Sequence, residues 1–122
     1  MNIDSALADA MSIEGALGAA LVDYESGMSL GFLGGSQQLD LEVAAAANTE
    51  VVRAKMRALA VLSIDDAIED VLITLSTQYH LIRPLADSQG SLFLYVALDR
   101  SRANLALARH GLKRIESALA IR

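Results

Sequence analysis

Two short segments constrain the fold of this chain more than any other feature. In residues 15–22 and 91–98, apolar residues occupy both alternating sets of positions, where a half-exposed strand would alternate with polar residues. A strand that is apolar on both faces is covered on both faces. The sequence therefore predicts a sheet with helices on each side and with these two strands in its interior.

The remaining segments predict the helices and the outer strands. Residues 40–62 form the longest periodic segment, which lacks Gly and Pro and is rich in helix-forming residues. The predicted elements are helix 2–12, strands 15–22 and 28–33, helix 40–62, strands 68–76, 78–85 and 91–98, and helix 101–121. Short turns between successive strands favour antiparallel pairing. The predicted fold is α+β, a three-layer α/β/α sandwich around a five-stranded antiparallel sheet.

Length and charge exclude several classes of protein. A chain of 122 residues predicts a single domain over residues 1–122. The net charge of −5 argues against a nucleic-acid partner, which requires a basic surface. Cysteine is absent, so the fold depends on neither disulfides nor thiolate metal sites. Without a secretory-signal pattern or a bilayer-length apolar run, we expect a cytoplasmic protein that does not insert into membranes.

The polar residues form no recognisable catalytic site. The densest carboxylate cluster, within residues 65–70, lacks the ligand spacing of a calcium loop, and the end of a helix and protection of a strand edge explain it better. His80 and His110 stand in no triad relation to a nucleophile. The Gly-Gly-Ser segment at residues 34–36 lacks the lysine of a phosphate-binding loop. We therefore expect no catalytic residues, no metal site and no cofactor, and we do not expect an enzyme.

Several local patterns accompany the predicted order of elements. An apolar strand, Ala-Ala-Leu-Val-Asp at residues 19–23, precedes Glu-Ser-Gly at 25–27, and four alanines stand together at 44–47. Val-Leu-Ile-Thr at 71–74 and Tyr-His-Leu-Ile at 79–82 form a strand pair. With a hairpin before a long Ala-rich helix, the chain resembles the roadblock/dynein light-chain family over nearly its whole length.

This resemblance implies a sheet order of 2-1-5-4-3 with strands 1 and 5 in the interior. Those are the two strands that are apolar on both faces, an agreement that comes from the residues themselves. Members of the family dimerise through edge-to-edge pairing of strand 3 and packing of helix 2 on its mate. They bind or regulate small Ras-like GTPases, or serve as adaptors in motor and signalling complexes. The resemblance therefore implies a non-catalytic homodimeric scaffold with a small GTPase as partner.

The long helix has more apolar surface than its own sheet needs. Its apolar arc spans about 220°, whereas covering a sheet takes little more than about 100°. One edge of the arc consists of small residues, which let a neighbouring backbone approach closely. We predict that a second copy of the chain covers the excess. With two residues of strand 3, the predicted interface is Leu41, Ala44, Ala45, Ala47, Asn48, Val51, Val52, Lys55, Val71 and Ile73.

Two polar residues lie inside this apolar arc. Asn48 either meets its mate near the dimer axis and helps to fix register, or bonds to local backbone or water. Lys55 can lay its aliphatic stem on apolar surface while its amine reaches water. Both interpretations of Asn48 remain open from the sequence.

The polar face of the same helix is the candidate partner-binding surface. Its simplest interpretation is a solvated face with ion pairs along the helix. The resemblance implies a sharper hypothesis, in which paired helices present a platform of mixed charge to a GTPase. The candidate residues are Glu42, Thr49, Glu50, Arg53 and Arg57.

The alternative function is a small-molecule sensor domain of profilin-, PAS- or GAF-like architecture. Such a domain needs a pocket with polar anchors on one face of the sheet. The interior of this chain is dense in Ala and Leu and offers few anchors. We therefore prefer the interaction module.

Overall fold

The structure is a computed structural model, and it describes residues 1–86 and 91–119. Its elements are α1 (Ile3–Met11), β1 (Ala16–Asp23), β2 (Ser29–Gly34), α2 (Leu41–Val61), β3 (Val71–Thr74), β4 (Gln78–Pro84), β5 (Leu92–Asp99) and α3 (Leu105–Ala118). This order confirms the arrangement predicted from the sequence.

The strands form one five-stranded antiparallel sheet in the order β2-β1-β5-β4-β3. β5 is buried from Leu92 to Leu98 because the sheet is covered on both faces. Leu94 and Val96 pack with α1 and α3 on one face, and Phe93 and Tyr95 pack with α2 on the other. The predicted fold class and strand order are therefore confirmed.

Local chemistry explains where α2 begins and ends. The carboxylate of Asp40 accepts hydrogen bonds from the backbone N–H groups of Glu42 (3.0 Å) and Val43 (3.3 Å), which caps the first turn. After Val61 the chain leaves the helix, and Ser63 has a left-handed conformation with φ of 56°. The helix thus agrees with the predicted segment to within one residue at each end.

Strand β3 is shorter than the predicted strand 68–76. Its pairing with β4 begins at Val71, opposite Ile82. The preceding Asp70 turns toward α3 and pairs with both Nε and Nη2 of Arg109, at 3.1 Å each. This contact holds the chain before Val71 near the helix layer, so only four residues join the sheet.

Helix α3 begins later than predicted. Its N-cap is Asn104, which accepts a hydrogen bond from the backbone N–H of Leu107 (3.1 Å). Residues 99–102 form a turn before the helix, in which the Asp99 carboxylate accepts hydrogen bonds from the backbone N–H and the hydroxyl of Ser101. The predicted end of this helix, at residue 121, lies outside the described residues.

The two faces of the sheet are covered unequally. Strands lie about 4.8 Å apart, so the outermost of five strands are roughly 19 Å apart, whereas one helix is about 10 Å wide. Two of the described helices pack on one face, whereas on the other face α2 packs against β1, β2 and β5 and reaches β4 only at Ile82. On the α2 side, Val71, Ile73 and His80 of β3 and β4 are only half-buried. We call these three residues the open face.

Candidate functional site

One stripe of α2 belongs to the core of the protomer. Leu41, Ala45 and Val52 are 0–3% exposed and pack against the sheet residues Phe93 and Tyr95. The sequence predicts these three helix residues in a dimer interface. Because the sheet of the same chain already covers them, they are not available to a second copy, and we remove them from the predicted interface.

A second stripe of α2 remains at the surface. Ala44 and Val51 are half-buried, and Ala47, Ala54 and Lys55 are exposed. These positions recur every three or four residues, so they lie on one side of the helix. Small side chains at this spacing permit close approach of another helix. Ala44, Ala47, Val51 and Lys55 remain predicted interface residues.

Asn48 is bonded within its own protomer. The residue is 8% exposed, and its side-chain Nδ2 donates a hydrogen bond to the backbone oxygen of Ala44 at 2.9 Å. The same side chain hydrogen-bonds to the hydroxyl of Tyr95. This arrangement supports the interpretation of Asn48 as a residue bonded to local groups, and it gives no support to a role at the dimer axis.

The contact to Asn48 starts a chain of buried polar groups. The Tyr95 hydroxyl lies 3.2 Å from Nδ1 of His80, whose Nε2 lies 2.8 Å from Oε1 of Gln78. Burial raises the pKa of Tyr95 to about 12, and the hydrogen bond to Asn48 partly opposes that rise. Burial also lowers the pKa of His80 below its ordinary value of 6.5. His80 is therefore a neutral structural imidazole at neutral pH.

The outer edge of β3 is the second part of the candidate surface. β3 is the last strand of the sheet, and among the described strands it pairs only with β4. An unpaired strand edge presents a row of backbone donors and acceptors to another chain. Val71 and Ile73 belong to the open face beside this edge, and they also remain predicted interface residues.

The predicted partner-binding residues do not share one environment. Glu42, Glu50 and Arg57 are exposed on α2. Thr49 is 1% exposed, and its hydroxyl donates to the backbone oxygen of Ala45 at 2.8 Å. The prediction of Thr49 as a surface residue is wrong, because the turn around Gly27 packs over it.

Arg53 connects α2 to the turn between β1 and β2. Its Nη2 donates to the backbone oxygens of Tyr24 (3.2 Å) and Glu25 (2.5 Å), and its Nη1 pairs with Glu50 at 2.9 Å. The guanidinium also lies 5.7 Å from the centre of the Tyr24 ring, a distance typical of cation–π contacts. Arg53 therefore has a structural role that the sequence did not reveal.

A cleft of about 900 Å³ lies between the C-terminal half of α2, residues 64–69 and the end of β4. Apolar side chains such as Met56, Leu59 and Ile64 line it, together with Arg83 and Glu116. Sequence reasoning did not find this cleft. Its walls come from segments that are distant in sequence, so no local pattern indicates it.

Arg83 is the buried cation beside this cleft, with a side chain 7% exposed. Its Nε donates to Glu116 at 2.7 Å, and Asp70 and Glu69 lie 3.9 and 4.0 Å from its terminal nitrogens. The sequence signal for such a residue is an arginine within an otherwise apolar strand, since a buried charge requires partners.

Within residues 1–86 and 91–119, no group of three or more His, Asp or Glu side chains is placed to hold a metal ion. None of the described helices has the length and apolar character to span a bilayer.

Solved structures share this architecture. The roadblock/LC7 domain from Streptomyces avermitilis superposes with a TM-score of 0.78 at 12% identity, over 97% of this chain and 94% of that chain. The chain has the roadblock/LC7 fold. Myxococcus xanthus MglB, with a TM-score of 0.72 and 21% identity, matches over 93% of this chain and 77% of its own.

A further roadblock-fold match is a structure described as MglB with tetrameric arrangement. It has a TM-score of 0.76 and 18% identity, over 94% of this chain and 82% of that chain. A scan of protein-family models and a search of curated proteins gave no match. At these identities the similarity to the solved structures is one of fold.

Proposed function

We propose that this chain is a cytoplasmic, non-catalytic homodimeric interaction module that binds or regulates a small Ras-like GTPase or a related signalling partner. The proposed dimer rests on one observation: α2 packs against β1, β2 and β5 but leaves the open face of Val71, Ile73 and His80 only half-buried. This face adjoins the unpaired edge of β3. Partly exposed apolar surface beside a free strand edge favours a second protein chain.

A second copy of the chain fits this surface well. Pairing of two β3 strands would continue the sheet, and the small-residue stripe of α2 (Ala44, Ala47, Val51 and Ala54) would face the helix of the other copy. The roadblock resemblance implies the same arrangement. The tetrameric arrangement described for MglB shows that a protein with this fold assembles from several copies.

If two copies pair through the open face, a charge placed on that face should weaken the dimer. Ile73→Lys places an ammonium group in the proposed interface, and we expect the dimer Kd to rise by at least about tenfold. Sedimentation velocity at micromolar concentration measures this change. Leu107→Lys on α3, where the native side chain is 68% exposed, is the matched control and should leave the dimer intact. A folded wild-type chain that sediments as a single protomer would contradict the dimer.

The GTPase partner is supported by the resemblance and by the exposed charges of α2. The exposed candidate residues are Glu42, Glu50 and Arg57. Thr49 is buried, and Arg53 is bound to the turn before β2. Arg57→Glu should weaken binding of a Ras-like GTPase from the source cell by roughly fivefold or more without changing the dimer.

Affinity capture of that GTPase in its GTP-bound form, followed by titration calorimetry, measures this effect. Lys113→Glu on α3 makes the same charge change at another exposed site and serves as control. Unchanged GTPase affinity in both Arg57→Glu and Glu50→Lys would argue against α2 as the binding surface.

The second candidate function is a small-molecule sensor domain, and the cleft beside Arg83 is the observation that favours it. Its volume of about 900 Å³ lies within the range of ligand pockets, and Arg83 and Glu116 are polar groups at its wall. Native mass spectrometry of the purified protein tests this candidate. A small molecule retained by the wild type and lost in Met56→Trp, which fills the cleft, would favour it.

A further inference from the structure

We propose that an ion pair between Glu69 of one copy and Arg100 of the other, formed twice about the twofold axis, sets the antiparallel register of the dimer. The proposal rests on the homodimer proposed above and deepens it. It assigns a function to the charges on either side of β3, which the apolar contacts leave unexplained.

Glu69 supplies a free negative charge just before β3. Its side chain is 75% exposed, and its one ion contact among the described residues is with Arg83 at 4.0 Å, the limit of such a contact. The neighbouring Asp70 is different, because it is 19% exposed and bound to Arg109. Glu69 is therefore the carboxylate near the β3 edge that is available to another chain.

Arg100 supplies a positive charge at the opposite end of β3. Its backbone N–H donates to the oxygen of Thr77 at 3.0 Å, and its Nη1 donates to the oxygen of Leu75 at 2.7 Å. The guanidinium also lies 5.1 Å from the centre of the Tyr79 ring. These contacts hold an exposed cation against the turn that follows β3, and none of the described ion pairs includes it.

The spacing along the strand makes this arrangement complementary to itself. β3 comprises residues 71–74, with residue 69 shortly before it and residues 75–77 just after it. In an antiparallel pair of β3 strands centred on Leu72, the segments that flank the strands would bring residue 69 toward Leu75 of the other copy. In a pair centred on Ile73 they would bring it toward Thr77. Arg100 hydrogen-bonds to both of these residues, so either register brings Glu69 near the other copy's guanidinium. A parallel pair would instead place like charges together.

This charge pattern favours a second copy over an unrelated strand. A foreign segment would need a cation at one end and an anion at the other, spaced as in β3 itself. A twofold axis supplies that pattern automatically, and it doubles each contact. Opposite charges on exposed surfaces also steer association and fix register more than they add affinity.

Charge reversal tests the ion pair. In Glu69→Lys and in Arg100→Glu homodimers, like charges meet at both ends of the paired strands, and we expect the dimer Kd to rise roughly tenfold. Mixing the two variants restores opposite charges at both ends. Native mass spectrometry of the mixture should therefore show mostly heterodimers, and the double variant should dimerise almost as tightly as the wild type.

Asp9→Lys on α1 makes the same charge change at a distant exposed site and should leave the Kd unchanged. Arg100 also supports the turn after β3, so Glu69→Lys gives an independent test. Added salt should strengthen the Glu69→Lys dimer because salt screens the repulsion, and the same salt should weaken the wild-type dimer. Wild-type affinity in both single variants, or no preference for heterodimers, would overturn the ion pair and leave the dimer standing. A monomeric wild type would instead overturn the proposed function itself.

Discussion

Within the part of the chain that the structure describes, buried polar side chains find their hydrogen-bond partners inside the protomer. Asn48, Tyr95, His80 and Gln78 link α2, β5 and β4 through successive hydrogen bonds. Among the described residues, no buried side-chain nitrogen or oxygen lacks a partner. Such satisfaction matters because an unpaired buried polar group costs about 1–3 kcal/mol. The open face therefore owes its interaction potential to apolar area and to backbone groups.

The lowered pKa of His80 predicts a pH dependence of stability. Burial lowers the pKa of the folded state below 6.5, so the unfolded state binds more protons and the free energy of unfolding falls as pH drops below about 6.5. The loss ends once pH is below the folded-state pKa. Urea unfolding between pH 7.5 and pH 5 at one fixed protein concentration measures it.

His80→Gln should remove this part of the pH dependence. The quantity to compare is the slope of the free energy of unfolding against pH, because the substitution also loses the contact to Tyr95 and lowers stability at every pH. His110→Gln changes an exposed imidazole and should keep the wild-type slope. Equal slopes in all three proteins would refute the role of His80.

At the level of elements, charged side chains join the sheet to the helix layer at the end of β4. Glu116 of α3 accepts from Nε of Arg83 at 2.7 Å and from the backbone N–H of Ala86 at 2.9 Å. Asp70 and Arg109 continue the contact from the segment before β3 to α3. These bonds explain why β3 is short and why Ala86 lies beside α3.

Removing Glu116 tests this junction. Glu116→Ala leaves the buried Arg83 with only the distant carboxylates of Asp70 and Glu69, and we expect a loss of about 2 kcal/mol in the free energy of unfolding. Glu14→Ala is the control, because this exposed glutamate takes part in none of the described ion pairs and its loss should change stability by less than about 0.5 kcal/mol. Chemical denaturation gives both values. A loss in Glu116→Ala no larger than in the control would contradict the junction.

At the level of the whole molecule, unequal covering of the sheet gives the protomer its open side. α1 and α3 together cover one face, whereas α2 alone covers the other. The uncovered part lies at the β3 end of the sheet, where the strand edge is also unpaired. The proposed dimer would cover the open face and the free edge together.

The sequence by itself determined the element order, the strand order implied by the resemblance and the two interior strands. Hydrophobic periodicity is a local property, so the apolar faces of residues 15–22, 91–98 and 40–62 can be identified without the fold. The length of β3 and the start of α3 needed the structure, because contacts with Arg109 and Ser101 decide them.

Only the tertiary structure decided which apolar and polar residues are left for a partner. The helical pattern of α2 does not show where its own sheet ends, so it cannot separate Val52 in the core from Val51 at the surface. Thr49 and Arg53 are removed from the polar face by the turn between β1 and β2, which is more than 20 residues away in sequence. Burial and pairing depend on such distant segments, and packing alone brings them together.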